Sequence, residues 1–344
     1  MKKLVCLGLV AAMVVSLAAC GSSNTKSTES KATESAAASE SSADQAEAAS
    51  GLKIALVMSG AANDQGWNQT AYEGTQKACE KYGCELAYTE NVSTADIAAV
   101  YAGSGYDIVI GHGYEFGDPA LEVAATYPDT KFICTEADAA ADNVASYVMA
   151  CEQTAYVEGI IAASMTKSGK IGAIGPIPGD SLVKIINGYE DGAKTINPDI
   201  DVQTAWTNSF VDTQLAQEAA KAMIENGADV IKHCANACGN GAMSAAVDAN
   251  IWCQGDSYDQ SSLAPNNILD SAIYNLDVVL DKAIESVVEG SFSGDVYNLG
   301  MADGAVEVLL SDNLPDDVKA TAEQAIEQIK SGEVEVVRDY TLRD

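Results

Sequence analysis

Residues 53–78 read KIALVMSGAANDQGWNQTAYEGTQKA and set the pattern that the rest of the chain repeats. A short apolar run at 54–58 is followed by a loop of small and polar residues, and helical spacing of apolar residues begins at Asn68. This order predicts a strand, a loop and a helix. In an open α/β sheet, the loop that leaves the carboxyl end of the first strand faces the crevice where ligands bind.

This loop carries four residues suited to ligand recognition: Asn63, Asp64, Trp67 and Asn68. Small residues beside them let the backbone approach a ligand closely, and polar or aromatic side chains supply specific contacts. Two structural alternatives stay open. Asp64 is of a residue type that often caps a helix N-terminus, and Trp67 could pack between lobes.

The alternation of strand and helix continues along the chain. A length of 344 residues suggests two domains. After the first strand, helical patterns and strand-like runs alternate up to Glu136, and the alternation starts again at Glu152 and continues to Gln254. Repeated βα units imply parallel sheets with helices on both faces. Two such runs predict two lobes with a cleft between them.

The first 50 residues differ from the rest. Residues 1–19 combine two lysines, an apolar core and small residues, which is the layout of a secretory signal peptide. The signal ends in LAAC, which resembles a bacterial lipobox and predicts a lipid on Cys20. The remainder of the segment 20–50 has no aromatic residue, Val, Ile or Leu, so it cannot bury enough apolar surface to become ordered. We expect a disordered tether there.

The charge and the cysteine pattern narrow the possible functions. A formal net charge of −31 argues against nucleic-acid binding, which needs a basic surface. Seven cysteines follow Cys20, an odd number that makes a poor disulfide framework, although Cys79 with Cys84 and Cys234 with Cys238 are possible pairs. With only two histidines and no C-x-x-C pair, the sequence predicts no metal site and no other cofactor.

One short motif suggests an enzyme. Residues 179–182 spell GDSL, in which Ser181 would be the nucleophile of a hydrolase. Such a nucleophile needs a base, normally a histidine near the C-terminus, and no histidine follows position 233. A turn that precedes a helix explains these residues better. We therefore predict that the protein is not an enzyme.

Five blocks of sequence carry a family resemblance. They read ALVMSGAANDQGWNQTAYEG, VASYVMACEQTAYVEGIIAASMTKSGKIGAIG, INGYEDGAKTINPD, SFVDTQLAQEAAKAMIENGADVI and DQSSLAPNNIL. In this order and spacing they resemble the basic-membrane-protein family, whose members are substrate-binding lipoproteins of ABC importers and are typified by purine nucleoside binders. The resemblance covers about residues 52–335.

The resemblance implies an α/β fold of the periplasmic-binding-protein type I, with two doubly wound parallel-sheet lobes joined by three crossovers. The implied boundaries follow the chain from a first part of lobe 1 at 51–150, through lobe 2 at 151–264, to a return to lobe 1 at 265–344. The last segment would contain the final crossover and a helix at 315–331 that packs against the body.

The family's binding loops imply a set of ligand contacts. In lobe 1 these are the first-loop residues, an acid matched by Glu136, and an aromatic residue matched by Tyr114. The loops of lobe 2 add further candidates: Asn208, Phe210, Asn236, Gly239, Asp256 and Tyr258. The family's usual GVDSDQ reads Gly255-Asp-Ser-Tyr-Asp-Gln260 here, so the acid that grips ribose moves to Asp256, and Tyr274 stands where a lysine is expected.

These departures leave more than one function open. The leading expectation is a lipid-anchored, monomeric receptor on the extracytoplasmic face of a bacterial cell membrane. It would capture a purine nucleoside or nucleobase and pass it to permease subunits. A receptor for another solute, such as a sugar, an autoinducer or a flavin-like molecule, is the alternative within the class. A sensory lipoprotein is the alternative outside it.

Overall fold

The computed structural model describes residues 51–64, 66–92 and 96–343. The predicted signal peptide, Cys20 and the tether lie outside the described residues. The described residues form two α/β lobes, each built on a six-stranded sheet. The predicted fold class is therefore confirmed.

The sheet of lobe 1 is parallel throughout. Its strand order is β11-β5-β4-β3-β1-β2. The strands are β1 (Lys53–Met58), β2 (Glu85–Thr89), β3 (Ile108–His112), β4 (Lys131–Thr135), β5 (Val144–Met149) and β11 (Val296–Leu299). The central strands β1 and β3 are buried on both faces, because helices cover the sheet from both sides.

Lobe 2 repeats this plan with one antiparallel strand at its edge. Its order is β12-β10-β9-β8-β6-β7, and β12 runs antiparallel to β10. The strands are β6 (Lys170–Gly175), β7 (Asp201–Trp206), β8 (Val230–His233), β9 (Trp252–Gly255), β10 (Ile268–Tyr274) and β12 (Val306–Leu310).

Nine helices of the described residues cover the two sheets. They are α1 (Trp67–Tyr82), α2 (Asp96–Gly103), α3 (Gly117–Ala124), α4 (Cys151–Met165), α5 (Asp180–Ile196), α6 (Thr213–Glu225), α7 (Asn240–Asp248), α8 (Leu276–Val288) and α9 (Asp316–Lys330). The backbones of α4 and α5 come so close that a Cβ at Gly159 or Gly192 would collide with the main chain of the facing helix. None of these helices is long and apolar enough to cross a membrane.

The chain passes between the lobes three times. It crosses after β5, again between β10 and β11, and a third time between β11 and β12. The second crossing follows Tyr274 and not residue 264, because β10 pairs with β9 and β12 in lobe 2. The C-terminal helix α9 packs on α4, so it covers lobe 2 and not lobe 1.

Candidate functional site

A cleft of about 620 Å³ lies between the two lobes. Loops that follow β1, β3 and β4 line it from lobe 1, and loops that follow β7, β8 and β9 line it from lobe 2. The first residues of α4 and α5 also reach it. The carboxyl ends of parallel strands from both sheets therefore meet at one place, as the sequence predicts.

Eight of the twelve predicted ligand contacts line this cleft: Asp64, Trp67, Asn68, Tyr114, Glu136, Phe210, Asn236 and Asp256. The other four do not. Asn63 and Asn208 are exposed to solvent, and Gly239 is buried where a Cβ would collide with the His233 ring. Tyr258 lines a second cavity of about 440 Å³. Ligand binding by the eight stays a prediction.

Trp67 is held by a stack on the buried His112. The two ring centroids are 4.3 Å apart and the ring planes differ by 24°. His112 Nε2 donates to the Trp67 carbonyl at 3.1 Å, and Nδ1 accepts from the Thr135 hydroxyl at 2.9 Å. Burial lowers the pKa of His112 to about 4, so its ring is neutral at physiological pH. The stack fixes the indole at the wall of the cleft.

Asp64 has the role that the structural alternative assigned to it, and it also lines the cleft. Its carboxylate accepts the backbone N–H groups of Gly66, Asn68 and Gln69 at 2.9–3.1 Å. These are donors that the start of α1 leaves without helical partners. The side-chain amide of Asn68 donates to the same carboxylate at 2.8 Å. Asp64 therefore stabilises the loop that presents Trp67.

Glu136 joins the two lobes through a buried ion pair. Its Oε1 accepts the Met149 N–H at 2.6 Å, and its Oε2 accepts from Lys184 Nζ of α5 at 3.1 Å. Lys184 also donates to the Met149 carbonyl at 2.7 Å. Burial alone would lower the pKa of Lys184, but the nearby carboxylates raise it above its ordinary value. Lys184 therefore carries its positive charge.

Asp256 is almost completely buried, and its oxygens accept two neutral donors. The Tyr274 hydroxyl donates to Oδ1 at 2.8 Å, and the Ser257 hydroxyl donates to Oδ2 at 2.8 Å. Burial raises the pKa of Tyr274 well above its ordinary value, so the phenol keeps its proton. Tyr274 stands where the resemblance implies a lysine, and it supplies a hydrogen bond without a positive charge.

Four residues of the cleft wall have left-handed backbone conformations. The φ angles of Asn91, Glu136, Asn236 and Ser257 are 57°, 55°, 48° and 69°. Such conformations cost roughly 1–3 kcal/mol each for residues other than glycine, and they concentrate at functional sites. In addition, the Asn236 amide lies so close to Gly66 of the other lobe that a Cβ at position 66 would collide with it. The lobes therefore touch across the cleft.

Several residues of the cleft wall were not among the predicted contacts, including Cys151, Ser181, Leu182, Ile185 and Cys234. Cys234 and Ser181 follow predicted strands of lobe 2, so their position was a usable signal. The seven described cysteines are thiols, and neither proposed disulfide is formed. The hydrogen bonds of the two histidines lead to Thr135, Trp67 and Gln260, and not to Ser181.

Comparisons with known proteins give consistent matches. A family model described as ABC transporter substrate-binding protein PnrA-like matches residues 52–339. A Brucella abortus protein named purine-binding protein is 31% identical over 295 residues, which are 84% of each chain. A Haloferax volcanii protein named putative ABC transporter glucose-binding protein is 30% identical, over 76% of this chain and 69% of its own. A solved ABC transporter solute-binding protein from Aeropyrum pernix has a TM-score of 0.73 at 24% identity, covering 84% of this chain and 94% of that one.

Proposed function

The chain belongs to the PnrA-like family of ABC transporter substrate-binding proteins, and from this membership we propose that it captures a purine nucleoside or purine nucleobase. Proteins of this class bind a solute for a permease and perform no chemistry on it. They work outside the cytoplasm.

The observation that carries the proposal is the ring of Trp67. One face of the indole rests on His112, and the side chain lines a cleft that also contains the apolar side chains of Leu182 and Ile185. A flat heterocycle that stacks on such a ring gains roughly 1–3 kcal/mol per base. The name of the Brucella abortus relative supports the same ligand class.

Capture would follow from closure of the two lobes. Contacts that bridge them, Glu136 with Lys184 and Asn236 against Gly66, form at the cleft itself. A ligand shifts the protein toward the closed form only as far as it binds that form better. Permease subunits would then recognise the closed receptor, which we propose to be a monomer held at the membrane by a lipid on Cys20.

A sugar is the second candidate, because one relative is named a putative glucose-binding protein. The two candidates differ in what they need from the cleft. A sugar needs several planar polar side chains, whereas a purine needs a ring on which to stack. The stacking face of Trp67 and the name of the Brucella abortus relative favour the purine.

A thermal-shift screen of purines against sugars tests the proposal. A ligand that binds only the folded protein raises the melting temperature by mass action. We expect adenosine, guanosine or the free bases to raise it, and Trp67→Ala to lower their affinity about tenfold or more. Trp67→Phe keeps an aromatic face and should retain most of the affinity. Stabilisation by glucose and by no purine would overturn the proposal.

A further inference from the structure

The described residues that line the cleft include acidic side chains but no basic side chain. Among the described residues that line it, four carry carboxylates, namely Asp64, Glu115, Glu136 and Asp256, and none is Lys, Arg or His. Acidic side chains alone do not make a site, but these four lie in a cavity that already has an aromatic wall. The preference for a charged ligand depends on how many of these negative charges are already paired with positive groups of the protein.

Two of the four carboxylates are balanced from within the protein. Asp64 accepts four hydrogen bonds at the start of α1, where the helix dipole is positive. Glu136 is paired with Lys184, whose side chain is 1% exposed and therefore offers no charge to a ligand. Neither residue needs a cation from outside.

The other two carboxylates form no ion pair with any residue that the structure describes. The Asp256 carboxylate accepts only from two neutral hydroxyl groups, and its backbone N–H donates to Gln260 Oε1. The buried Lys232 interacts electrostatically with Asp256, but its hydrogen bond and its ion pair are with Glu158. Glu115 forms no hydrogen bond or ion pair with another described residue, and it is only half-buried. Each side of the cleft therefore has one carboxylate without an ion-pair partner, Glu115 in lobe 1 and Asp256 in lobe 2.

Closure of the lobes raises the electrostatic repulsion between these carboxylates. Like charges repel more strongly as water leaves the space between them, because the local dielectric constant falls. A positive charge on the ligand would remove that repulsion in the closed form more than in the open form, and so would favour closure. The Trp67 ring would add a favourable cation–π contact, and the formal charge of −31 would raise the local concentration of cations.

We propose that the preferred ligand is a purine that carries a positive charge, such as an N-methylated purine nucleoside. This inference rests on the proposed function, since it assumes that a purine enters the cleft. It adds the charge of the ligand, and it assigns Glu115, Asp256 and Tyr274 as the residues that select this charge. Tyr274 selects it because its phenol leaves the charge of Asp256 unbalanced.

Titration calorimetry of the purified protein with three nucleosides tests the proposal. Adenosine and N6-methyladenosine are neutral, whereas 1-methyladenosine carries a positive charge near neutral pH. We expect 1-methyladenosine to bind about tenfold more tightly than both neutral nucleosides, and the advantage to shrink in high salt. Guanosine and 7-methylguanosine repeat the comparison with the methyl group on the other edge of the base.

Variants locate the effect in the cleft. Tyr274→Lys brings a cation to Asp256 and should abolish the preference, whereas Tyr274→Phe removes the same hydroxyl without adding charge and should keep the ratio. Because a lysine at a buried position could prevent folding, Glu115→Gln provides an independent test and should reduce the preference severalfold. Glu122→Gln, an equal charge change at an exposed position of α3, should leave it unchanged.

The outcomes separate the two proposals. If neither charged nucleoside binds more tightly than its neutral parent, the inference about charge is wrong while purine binding stands. If no purine binds at all, the proposed function is wrong and the inference falls with it.

Discussion

Two buried lysines of lobe 2 stand in opposite relations to the cleft. Lys184 pairs with Glu136 of the other lobe, whereas Lys232 pairs with Glu158 inside its own lobe. Both oxygens of Glu136 are bonded, but Glu158 Oε1 and the neighbouring Asp270 Oδ1 have no hydrogen-bond partner among the described residues. The first pair links the two lobes. The second pair lies in a cluster of buried carboxyl groups that holds a proton.

Although both are pairs of a lysine and a glutamate, breaking each one should have a different effect on the protein. Breaking a buried ion pair leaves an unpaired charge, which costs far more than the pair itself contributes. For the pair within lobe 2 that cost appears as stability alone. For the pair between lobes it also appears as a change in how the lobes are arranged.

The largest effect is expected when the inner pair is broken. Lys232→Met leaves the carboxyl of Glu158 fully buried without its cation, so we expect the free energy of unfolding to fall by about 3–5 kcal/mol. Urea denaturation measures this loss. The double variant Lys232→Met/Glu158→Gln removes both charges and should recover part of it. A loss below about 1 kcal/mol in the single variant would show that Glu158 is neutral whether or not Lys232 is present.

Breaking the pair between lobes should cost less stability and change the arrangement of the lobes. Lys184→Met leaves Glu136 with its bond to the Met149 N–H, so we expect a loss of about 2–3 kcal/mol. Small-angle X-ray scattering should show a larger radius of gyration for Lys184→Met without ligand, and no change for Lys232→Met. An equal radius in all three proteins would mean that the Glu136–Lys184 pair does not hold the lobes together.

The proton held inside lobe 2 predicts a dependence of stability on pH. Burial raises the pKa of Asp270 to about 7 and that of Glu158 well above its ordinary value. Since the folded protein binds this proton more tightly than the unfolded chain, the stabilisation is complete below about pH 4 and is lost as the pH rises through 7. We expect a fall of about 2 kcal/mol between pH 5 and pH 8 from this group.

Thermal and urea unfolding of Asp270→Asn at several pH values provides the matched measurement. Burial lowers the pKa of His112 and of His233, so these rings act in the opposite direction below about pH 6.5. Both proteins contain them, and the difference between the two curves isolates Asp270. If the curves run parallel, the proton does not lie on Asp270.

The smallest effect is expected from a partly exposed cluster, which serves as a reference for the two buried pairs. Arg343 donates to both carboxylate oxygens of Asp191 at 2.6 and 3.0 Å, and its side chain is 30% exposed. Solvent screens such a pair, so Arg343→Ala should cost about 1 kcal/mol or less in urea denaturation. A loss as large as that of Lys184→Met would mean that burial does not set the order of these effects.

Much of the fold was predictable because apolar runs and helical spacing mark the central elements. Four strands were missed, β5, β10, β11 and β12, and the last three show where this signal ends. In β10 the buried Asp270 and Ser271 interrupt the apolar run, because they belong to polar clusters inside lobe 2. The edge strands β11 and β12 are short and partly exposed, so few of their residues need to be apolar.

The loops of the cleft were predictable from their place after strands, but the partners of their side chains were not. The sequence predicted that Glu136 is an acid at the cleft, and the structure places it there. Only the folded chain brings Lys184, 48 residues away, against it. The substitution at Tyr274 was visible in the sequence, whereas its bond to Asp256 depends on the return of β10 beside β9. Loop position alone did not identify the contacts correctly. Asn208 and Asn63 lie in loops that line the cleft, but both are exposed to solvent.

The three passages between the lobes also govern the order in which the protein can fold. Strand β11, at 296–299, completes the sheet of lobe 1, and β12, at 306–310, completes that of lobe 2, so each lobe is made of segments distant in sequence. Pairing of such distant segments is slow, since the entropy of loop closure must be overcome before the contacts form. Neither sheet can be finished until nearly the whole chain has been synthesised. Both lobes therefore remain incomplete during most of synthesis, and neither can complete its fold well ahead of the other.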